Sequence, residues 1–234
     1  MKQNLGNSLT SFGLKQAFSY LESDPQKNMP QLIKWAEKFD RKGNYSKEIM
    51  GVKNSLSDPD NNWNILVNNF WNLDAGVRKK TFENFFVNGV FRARNKLDES
   101  RAKYHCNVPW AILMDPTSAC NLRCKGCWAA DYGNKMNMSY ETLDDIIRQG
   151  KELGTYFYIY SGGEPLVRKK DILRLCEKHN DCMFLAFTNG TFIDEAFANE
   201  MLRVKNFIPV ISMEGFEKET DSRRGEGTYK AVEK

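Results

Sequence analysis

Short apolar runs alternate with amphipathic segments from about residue 105 onward, and this alternation limits the fold more than any other feature of the sequence. Each run is too short for a helix and almost continuously apolar, which is typical of a strand buried on both faces of a parallel sheet. The order β-α-β-α-β-α-β predicts an α/β fold with right-handed crossovers. The runs are WAILM (110–114), YFYIY (156–160), CMFLAF (182–187) and FIPVISM (207–213).

The amphipathic segments between the runs carry helix boundary signals. Ser139 is a typical N-cap for the first helix, and Gly154 is a typical terminator at its other end. The second helix is predicted to begin near Asp171 and the third at Asp194. Acidic residues favour these starts because they lie at the positive end of the helix dipole.

The first 104 residues have a different pattern. Apolar residues recur there at helical spacing, and Pro30 stands where a helix is expected to begin. We therefore predict a small all-α domain at 1–104 and an α/β domain at 105–234. The aromatic residues of the first domain form either a helix-bundle core or a ligand groove, and a core is the simpler interpretation.

Composition excludes several classes of protein. The chain has 234 residues, of which 41% are hydrophobic and 27% charged, as in globular rather than disordered proteins. Its mean hydropathy is -0.59 and it lacks any run of about 18 uncharged apolar residues, so we expect no transmembrane helix. The net charge of +4 is spread over interspersed charges and does not indicate a nucleic-acid partner. The N-terminus lacks a signal-peptide core, so we expect a cytoplasmic, reducing location.

Three of the six cysteines lie close together, as Cys120-x3-Cys124-x2-Cys127. In a reducing compartment such spacing indicates metal binding or catalysis rather than disulfides. Three thiolates can hold three corners of a 4Fe-4S cluster and leave one iron open. An open metal position is what a catalytic site requires.

Other interpretations of these cysteines stay open at this point. Cys124 and Cys127 could form a redox pair, although thioredoxin-type motifs lack a third cysteine. The three cysteines could also form a structural zinc site with Cys106 or His105, but these two residues precede the first strand and are expected at its opposite end.

Each predicted strand is followed by a polar, glycine-marked loop. In parallel α/β folds the ligand site lies at the carboxyl ends of the strands, so the four loops are expected to converge on one site. The first loop carries the cysteines. The others contain Ser161–Pro165, Thr188–Gly190 and Glu214–Gly215.

Together these motifs resemble the radical S-adenosylmethionine (radical SAM) superfamily, over roughly residues 108–234. The resemblance is strongest to the branch of Fe-S oxidoreductases and peptide maturases. It implies a partial (βα) TIM-type barrel. Because only four strands are predicted, we expect this chain to be the N-terminal part of such a barrel, truncated after about four strands and ending in an open sheet edge that favours aggregation.

The resemblance implies roles for the residues of the first two loops. Cys120, Cys124 and Cys127 would ligate the 4Fe-4S cluster, whose open iron would bind the amino and carboxylate groups of S-adenosylmethionine. The backbone carbonyls at 162–164 would meet the amino group of the cofactor, where glycine permits a close approach. The cofactor-binding residues implied in this loop are Gly162, Gly163, Glu164 and Pro165.

The later loops have implied roles as well. Asn189 and Ser212 would lie near the ribose or methionyl part of the cofactor. Glu214 would reach a ribose hydroxyl, and Arg224 would approach the cofactor carboxylate. For Glu164, capping or bracing of a loop is an alternative role.

The implied activity is reductive cleavage of S-adenosylmethionine to a 5′-deoxyadenosyl radical, which abstracts hydrogen from a peptide or small-molecule substrate. The electron donor would be a protein such as flavodoxin or ferredoxin. A non-catalytic iron-sulfur or zinc binding module is the alternative function. The helical domain would be either a docking module for a peptide or protein substrate or a structural lid.

One position departs from the family pattern. The family usually has an aromatic residue just before the last cysteine, near the adenine of the cofactor, whereas this chain has Gly126 there. Trp128 follows the cysteines instead. It either takes over the adenine contact or packs at the mouth of the barrel.

Overall fold

The computed structural model describes residues 2–40, 43 and 46–233, with side chains described from residue 12 onward. The chain divides into two compact units, Met1–Phe82 and Glu83–Lys234. Within the described residues, no helix is long and apolar enough to cross a membrane.

The first unit is helical. Side chains at helix N-caps accept hydrogen bonds from backbone amides, as Asp24 does from Lys27 N at 3.1 Å. Pro30 was expected at a helix start, and this was wrong: Pro25 holds the first position of its helix and Pro30 lies inside. The helices are α1 (Lys2–Ser23), α2 (Pro25–Phe39), α3 (Ser46–Ser57), α4 (Asn62–Trp71) and α5 (Ala75–Thr81).

The aromatic residues of the first unit are less buried than a helix-bundle core requires. Phe18 is 5% exposed and stacks on Phe82 with ring centroids 4.3 Å apart. By contrast, Phe39 is 79% exposed and Trp63 is 63% exposed. The predicted core is therefore formed at Phe18, whereas much of the apolar surface of α2 and α4 stays in contact with solvent.

The second unit begins with a π-helical segment (Phe82–Arg92, whose first residue closes the first unit) and then alternates strands with helices. Its elements are α6 (Ala93–Tyr104), β1 (Ala111–Met114), α7 (Tyr140–Leu153), β2 (Phe157–Tyr160), α8 (Lys169–Lys178), β3 (Met183–Thr188), α9 (Glu195–Val204), β4 (Phe207–Ile211), α10 (Glu217–Arg224) and α11 (Thr228–Glu233). Two 3-10 turns, Trp128–Tyr132 and Pro165–Arg168, lie in the loops after β1 and β2.

The four strands form one parallel sheet in the order β1-β2-β3-β4. This confirms the parallel α/β fold that the apolar runs predicted, with the four strands that the resemblance implied for a partial barrel. Parallel neighbours in sequence order place all four carboxyl ends at one edge, which is where the loops carrying the motifs begin.

The helix-covered face of the sheet carries the core. Leu143 and Ile147 of α7 are fully buried, as are Tyr158 and Phe184 of the central strands. Cysteines 176 and 182 are buried in the same core, as their apolar surroundings predicted. The opposite face is open, since Leu113 is 56% and Phe187 45% exposed.

The segment 83–104 belongs by its contacts to the second unit. Ala93 and Leu97 of α6 pack with Val108 in a small buried group. The side-chain amide of Asn84 donates to the carbonyl oxygens of Asn180 at 2.9 Å and Cys182 at 2.7 Å. The chain divides into its two compact units at 82/83, before the domain boundary of 104/105 that we expected from the sequence. The boundary at 104/105 stays a prediction about which segments fold independently.

The outer side of β4 is marked by a proline. At the two ends of β4, Phe184 N donates to Asn206 O and Ser212 N donates to Thr188 O, both at 2.9 Å. Even-numbered residues of β4 therefore bond to β3, and odd-numbered residues direct their backbone groups away from it. Pro209, which lacks an amide hydrogen, occupies one of these outward positions.

Candidate cofactor site

The loop after β1 brings the three motif cysteines to one cavity. Cys120, Cys124 and Cys127 are half-buried free thiols that line a cavity of about 470 Å³ together with Ser118 and Gly163. The backbone amide of Leu122 donates to Cys120 Sγ at 3.4 Å, and this hydrogen bond helps to orient the cysteine side chain. The site thus combines three soft ligands with room for a group larger than one ion.

The surroundings of Cys120 favour its protonated thiol form. Burial raises the pKa of the Cys120 thiol, and the nearby Glu164, Cys124 and Cys127 raise it further, while the amide of Leu122 lowers it. Bound iron would lower the pKa of this thiol, because a metal ion stabilises the thiolate form.

The cysteines are not arranged around a single point. Among the described residues, no three His, Cys, Asp or Glu side chains are placed to hold one metal ion. A cubane cluster binds each thiolate to a different iron and therefore needs wider spacing than a zinc ion. His105 and Cys106 are exposed residues between α6 and β1, away from the carboxyl end of the strand, and do not line the cysteine cavity.

The glycines after β2 are required by the neighbouring loop. A Cβ on Gly162 would lie 2.6 Å from Thr117 O, and one on Gly163 would lie 2.4 Å from Ala119 O. Gly162 also has φ of 102°, which favours glycine. Our sequence analysis attributed these glycines to close approach of a cofactor, whereas in the structure the backbone of the cysteine loop already fills this space.

Hydrogen bonds join the same two loops. Gly163 N donates to Thr117 O at 3.0 Å and Glu164 N donates to Ala119 O at 2.8 Å. Pro165 is buried and begins the short 3-10 turn that follows. The cysteine loop is therefore held against the second loop by main-chain contacts that do not depend on side-chain identity.

The side chain of Glu164 points into the protein. It is 1% exposed, and its carboxylate accepts hydrogen bonds from Leu166 N at 2.9 Å, Thr188 Oγ1 at 2.7 Å and Asn189 N at 2.8 Å. Burial raises the pKa of this carboxyl, although the three donors oppose the shift. Glu164 thus braces the second and third loops, which leaves only its main chain for contact with a ligand.

Asn189 connects the third loop to the cysteine loop. Its Nδ2 donates to Asn121 Oδ1 at 2.9 Å, and Asn121 Nδ2 donates to Thr191 Oγ1 at 2.8 Å. Asn189 is 6% exposed, whereas Asn121 is exposed. Asn121 follows directly after Cys120, and the contact therefore fixes the position of the first cysteine.

The fourth loop contributes a carboxylate held by two arginines. Glu214 accepts from Arg224 at 2.6 Å and from Arg223 at 3.0 Å, and these contacts lower the pKa of its carboxyl, Arg224 most strongly. Nε of Arg224 is buried without a partner among the described residues. Ser212 is half-buried at the end of β4. Each oxygen of the Glu214 carboxylate accepts from one arginine and keeps a further lone pair, so the expected contact of Glu214 with a ribose hydroxyl stays a prediction.

Several connecting residues were missed by the sequence analysis. They are polar residues inside or beside the recognised motifs, so their position next to a motif was the available signal. Lys125 N donates to Arg223 O at 2.8 Å, which ties the cysteine loop to the end of α10. The missed residues are Thr117, Asn121, Thr188, Thr191 and Arg223.

The family follows from a comparison with known proteins. The family model described as "Radical SAM superfamily" matches residues 114–234, which include all three motif cysteines. The chain belongs to the radical SAM superfamily.

Individual relatives match parts of this chain. An uncharacterized protein of Archaeoglobus fulgidus is 34% identical over 171 residues, which is 70% of this chain and 39% of that protein. A probable GTP 3',8-cyclase of Methanothermobacter marburgensis is 33% identical over 89 residues, 36% of this chain and 29% of the cyclase. This chain thus spans well under half the length of these curated relatives.

Solved structures are similar to somewhat more than half of this chain. The structure of Streptococcus suis SuiB bound to its precursor peptide SuiA matches 58% of this chain and 32% of SuiB, with a TM-score of 0.48 and 23% identity. A structure of anSMEcpe with bound AdoMet and a peptide matches 53% of this chain and 37% of that enzyme, with a TM-score of 0.45 and 27% identity.

Proposed function

We propose that this chain binds a 4Fe-4S cluster through Cys120, Cys124 and Cys127 and binds S-adenosylmethionine at the open iron. The observation that carries the proposal is the placement of three half-buried thiols around one cavity, in a chain of the radical SAM superfamily. When bound, the cluster and cofactor supply reductive cleavage of the cofactor's carbon–sulfur bond and hydrogen abstraction from a substrate.

The protein holds and orients the cofactor with groups of the later loops. Main-chain carbonyls at Gly162, Gly163 and Glu164 accept from the cofactor amino group, and the unpartnered Nε of Arg224 donates to its carboxylate. The main chain is proposed for the first contact because the carboxylate of Glu164 already accepts hydrogen bonds from Thr188 and Asn189. Asn189 and Ser212 lie on the loops nearest the ribose and methionyl parts.

The electron donor in this proposal is an acidic carrier such as flavodoxin or ferredoxin. Arg123 and Lys125 lie between the cysteines, are exposed, and have no ion-pair partner within the described part of the chain. Opposite charges accelerate the encounter of proteins and weaken in effect as salt is added. These two residues are therefore the proposed contact for the donor.

The substrate is a peptide or a small molecule, and the helical unit is either its docking module or a lid. All six cysteines are free, which agrees with the proposed reducing, cytoplasmic location. The exposed apolar residues of α2 and α4, among them Phe39 and Trp63, are the surface that a docking module would use.

A non-catalytic metal-binding module is the competing function. Its zinc form requires four ligands around one ion, whereas among the described residues no three His, Cys, Asp or Glu side chains are placed to hold one ion, and neither His105 nor Cys106 lines the cysteine cavity. A non-catalytic iron-sulfur module uses the same three cysteines and differs only in lacking turnover of S-adenosylmethionine.

Iron content tests the ligand assignment. Protein reconstituted anaerobically is expected to bind one 4Fe-4S cluster, Cys124→Ala is expected to lose it, and Cys176→Ala and Cys106→Ser are expected to retain it. Unchanged iron in Cys124→Ala, or loss in Cys106→Ser, contradicts the assignment.

Cofactor turnover distinguishes the enzyme from the binding module. S-adenosylmethionine is expected to change the electron paramagnetic resonance spectrum of the reduced cluster, and 5′-deoxyadenosine is expected to accumulate under reducing conditions. The non-catalytic module would be favoured if the cofactor leaves the spectrum of the reduced cluster unchanged and no 5′-deoxyadenosine forms.

A further inference from the structure

A second cavity adjoins the cysteine cavity at the end of β1. It has a volume of about 320 Å³ and lies between the loop 115–118 and the segment 128–138. Ser118, Ala129 and Gly163 line both cavities. The two spaces are therefore neighbours that share a wall, so a molecule in the second cavity lies beside the proposed cofactor.

The second cavity has one side chain that is charged at neutral pH among the described residues that line it, the carboxylate of Asp115. This residue is exposed, and its side chain makes no hydrogen bond or ion pair with the described part of the chain. Its partial burial raises the pKa of the carboxyl. Its Cβ and Cγ lie 3.0 and 3.3 Å from the position that a Cβ on Gly162 would take, so the side chain is held against the second loop.

Aromatic and thioether side chains form one part of the wall, and Thr117, Ser118 and Asn137 form a polar part. Trp128 and Tyr132 meet edge to face, with ring centroids 5.8 Å apart and an interplanar angle of 77°. They are 59% and 55% exposed, and Met136 and Met138 line the cavity beside them. Aromatic faces attract cations, most strongly for Trp, and a carboxylate at the same cavity adds to that attraction.

We propose that this cavity binds an organic ammonium group of the substrate, as carried by a lysine side chain or another alkylamine. The inference rests on the proposed function, because the bound molecule is the substrate of the neighbouring cofactor. An uncharged occupant such as an adenine ring would leave Asp115 unpaired, whereas an ammonium group pairs with the carboxylate and contacts the aromatic faces. Asp115 is then a specificity-determining residue.

S-adenosylmethionine also carries an ammonium group, so the test must separate the two sources. The reporter is the 19F NMR signal of Trp128 in protein labelled with 5-fluorotryptophan, assigned by its loss in Trp128→Phe. The probes are the capped tripeptide acetyl-Ala-Lys-Ala-amide and its norleucine counterpart, which has the same chain without the amine. Binding is measured at low salt, because the pairing is screened by ions.

The lysine peptide is expected to shift the Trp128 signal with a dissociation constant about fivefold lower than the norleucine peptide, as a partly exposed charge pair would give. Asp115→Asn is expected to abolish the difference and Asp115→Glu to retain part of it. Asp131→Asn, which changes a nearby exposed carboxylate outside the lining, is expected to leave it unchanged.

Equal binding of the two peptides, or a preference that survives in Asp115→Asn, overturns the proposal. A Trp128 signal that shifts with S-adenosylmethionine alone, which then displaces the lysine peptide, also overturns it by assigning the cavity to the cofactor. The readout is binding and needs neither iron nor turnover. Failure of this inference is therefore distinct from failure of the proposed function, which is judged by iron content and 5′-deoxyadenosine.

Discussion

Glu164 shows how one side chain can organise a site without facing it. Its carboxylate joins the loop after β2 to Thr188 and Asn189 after β3, and Asn189 in turn contacts Asn121 beside the first cysteine. A change at this buried carboxylate is therefore expected to reach the cysteine loop through two hydrogen-bonded residues.

The stability contributed by Glu164 is expected to fall as pH rises. Burial raises the pKa of its carboxyl above the ordinary value of 4.5, so the folded protein binds this proton more tightly than the unfolded chain does. The contribution is thus fully present below the ordinary pKa and is lost as the pH rises through the raised one.

The measurement compares the free energy of unfolding of the wild-type chain and Glu164→Gln at several pH values. We expect Gln to be about 2 kcal/mol less stable near the ordinary glutamate pKa, because its amide N–H₂ faces hydrogen-bond donors. The difference is expected to shrink toward neutral pH. A difference that grows with pH would show that the carboxyl titrates below its ordinary value.

Gly163 is expected to tolerate no side chain. In Gly163→Ala the new Cβ would meet Ala119 O and Ser118 O at 2.4 and 2.5 Å, so the cysteine loop must shift. We expect a loss of about 3 kcal/mol in unfolding free energy, as overpacking typically costs, together with lower iron retention.

Gly51→Ala is the matched control for this change. Gly51 lies in α3 with nothing within 4 Å of a Cβ, so alanine there is expected to be neutral or to stabilise by about 0.5 kcal/mol. A Gly163→Ala protein with normal stability and normal iron content would show that the loops can separate without consequence.

At the scale of elements, α10 presents two adjacent arginines with different surroundings. The side chain of Arg224 is 14% exposed and has an unpartnered Nε, whereas that of Arg223 is 47% exposed. Both contact Glu214, so both variants lose one ion pair with this carboxylate. Only Arg224 has a buried donor left for a cofactor carboxylate.

Arg224→Ala is therefore expected to weaken binding of S-adenosylmethionine about tenfold, as loss of a hydrogen bond between charged groups would. Arg223→Ala is expected to change this affinity by less than about twofold, since exposed ion pairs contribute little. Isothermal titration calorimetry under anaerobic conditions measures both. Equal losses in the two variants would assign the effect to Glu214 or to the fold of α10.

The helices between the strands were predictable from their capping residues, whereas α10 and one boundary in the first unit were not. Ser139 accepts from Thr142 N at 3.0 Å and Gly154 adopts φ of 104°, as the capping signals of α7 predicted. Pro30 was misjudged because Pro25, preceded by the capping Asp24, offers the same start signal five residues earlier. Two equivalent start signals cannot be ranked without the packing of the helix.

At the scale of the whole molecule, the contacts place residues 83–104 with the sheet. A chain of residues 83–234 is therefore expected to fold and unfold cooperatively. A chain of 105–234 lacks Ala93 and Leu97, exposes Val108, and loses the Asn84 hydrogen bonds, so it is expected to be insoluble or molten. Circular dichroism and thermal unfolding distinguish the two, and an equally stable 105–234 would support the boundary expected from the sequence.

Reduction by a protein donor is expected to depend on salt. With a flavodoxin as donor, Arg123→Glu combined with Lys125→Glu is expected to slow cluster reduction about tenfold at low ionic strength and to have little effect at about 0.5 M salt. Lys170→Glu, an exposed charge on α8, serves as the control. Equal slowing in the control, or no salt dependence, would place the donor elsewhere.

The location of the site was predictable from the sequence, but the contacts that each site residue makes were not. Apolar runs predicted the strands and their polar ends predicted where the loops meet, because parallel order leaves little freedom. The inward direction of Glu164 and the pairing of Glu214 with arginines depend on contacts between loops distant in sequence, which periodicity does not encode. Asp115 was overlooked for the same reason, since only folding reveals that it lacks a partner.

Pro209 bears on what can be added to this sheet from outside. A foreign strand laid along the outer side of β4 would find hydrogen-bond donors at residues 207 and 211 and a gap between them. Because one donor is missing in the middle of so short a strand, backbone pairing with an added strand is weakened on this side. The proline thus acts as a built-in gatekeeper, which weakens our expectation that this edge promotes aggregation.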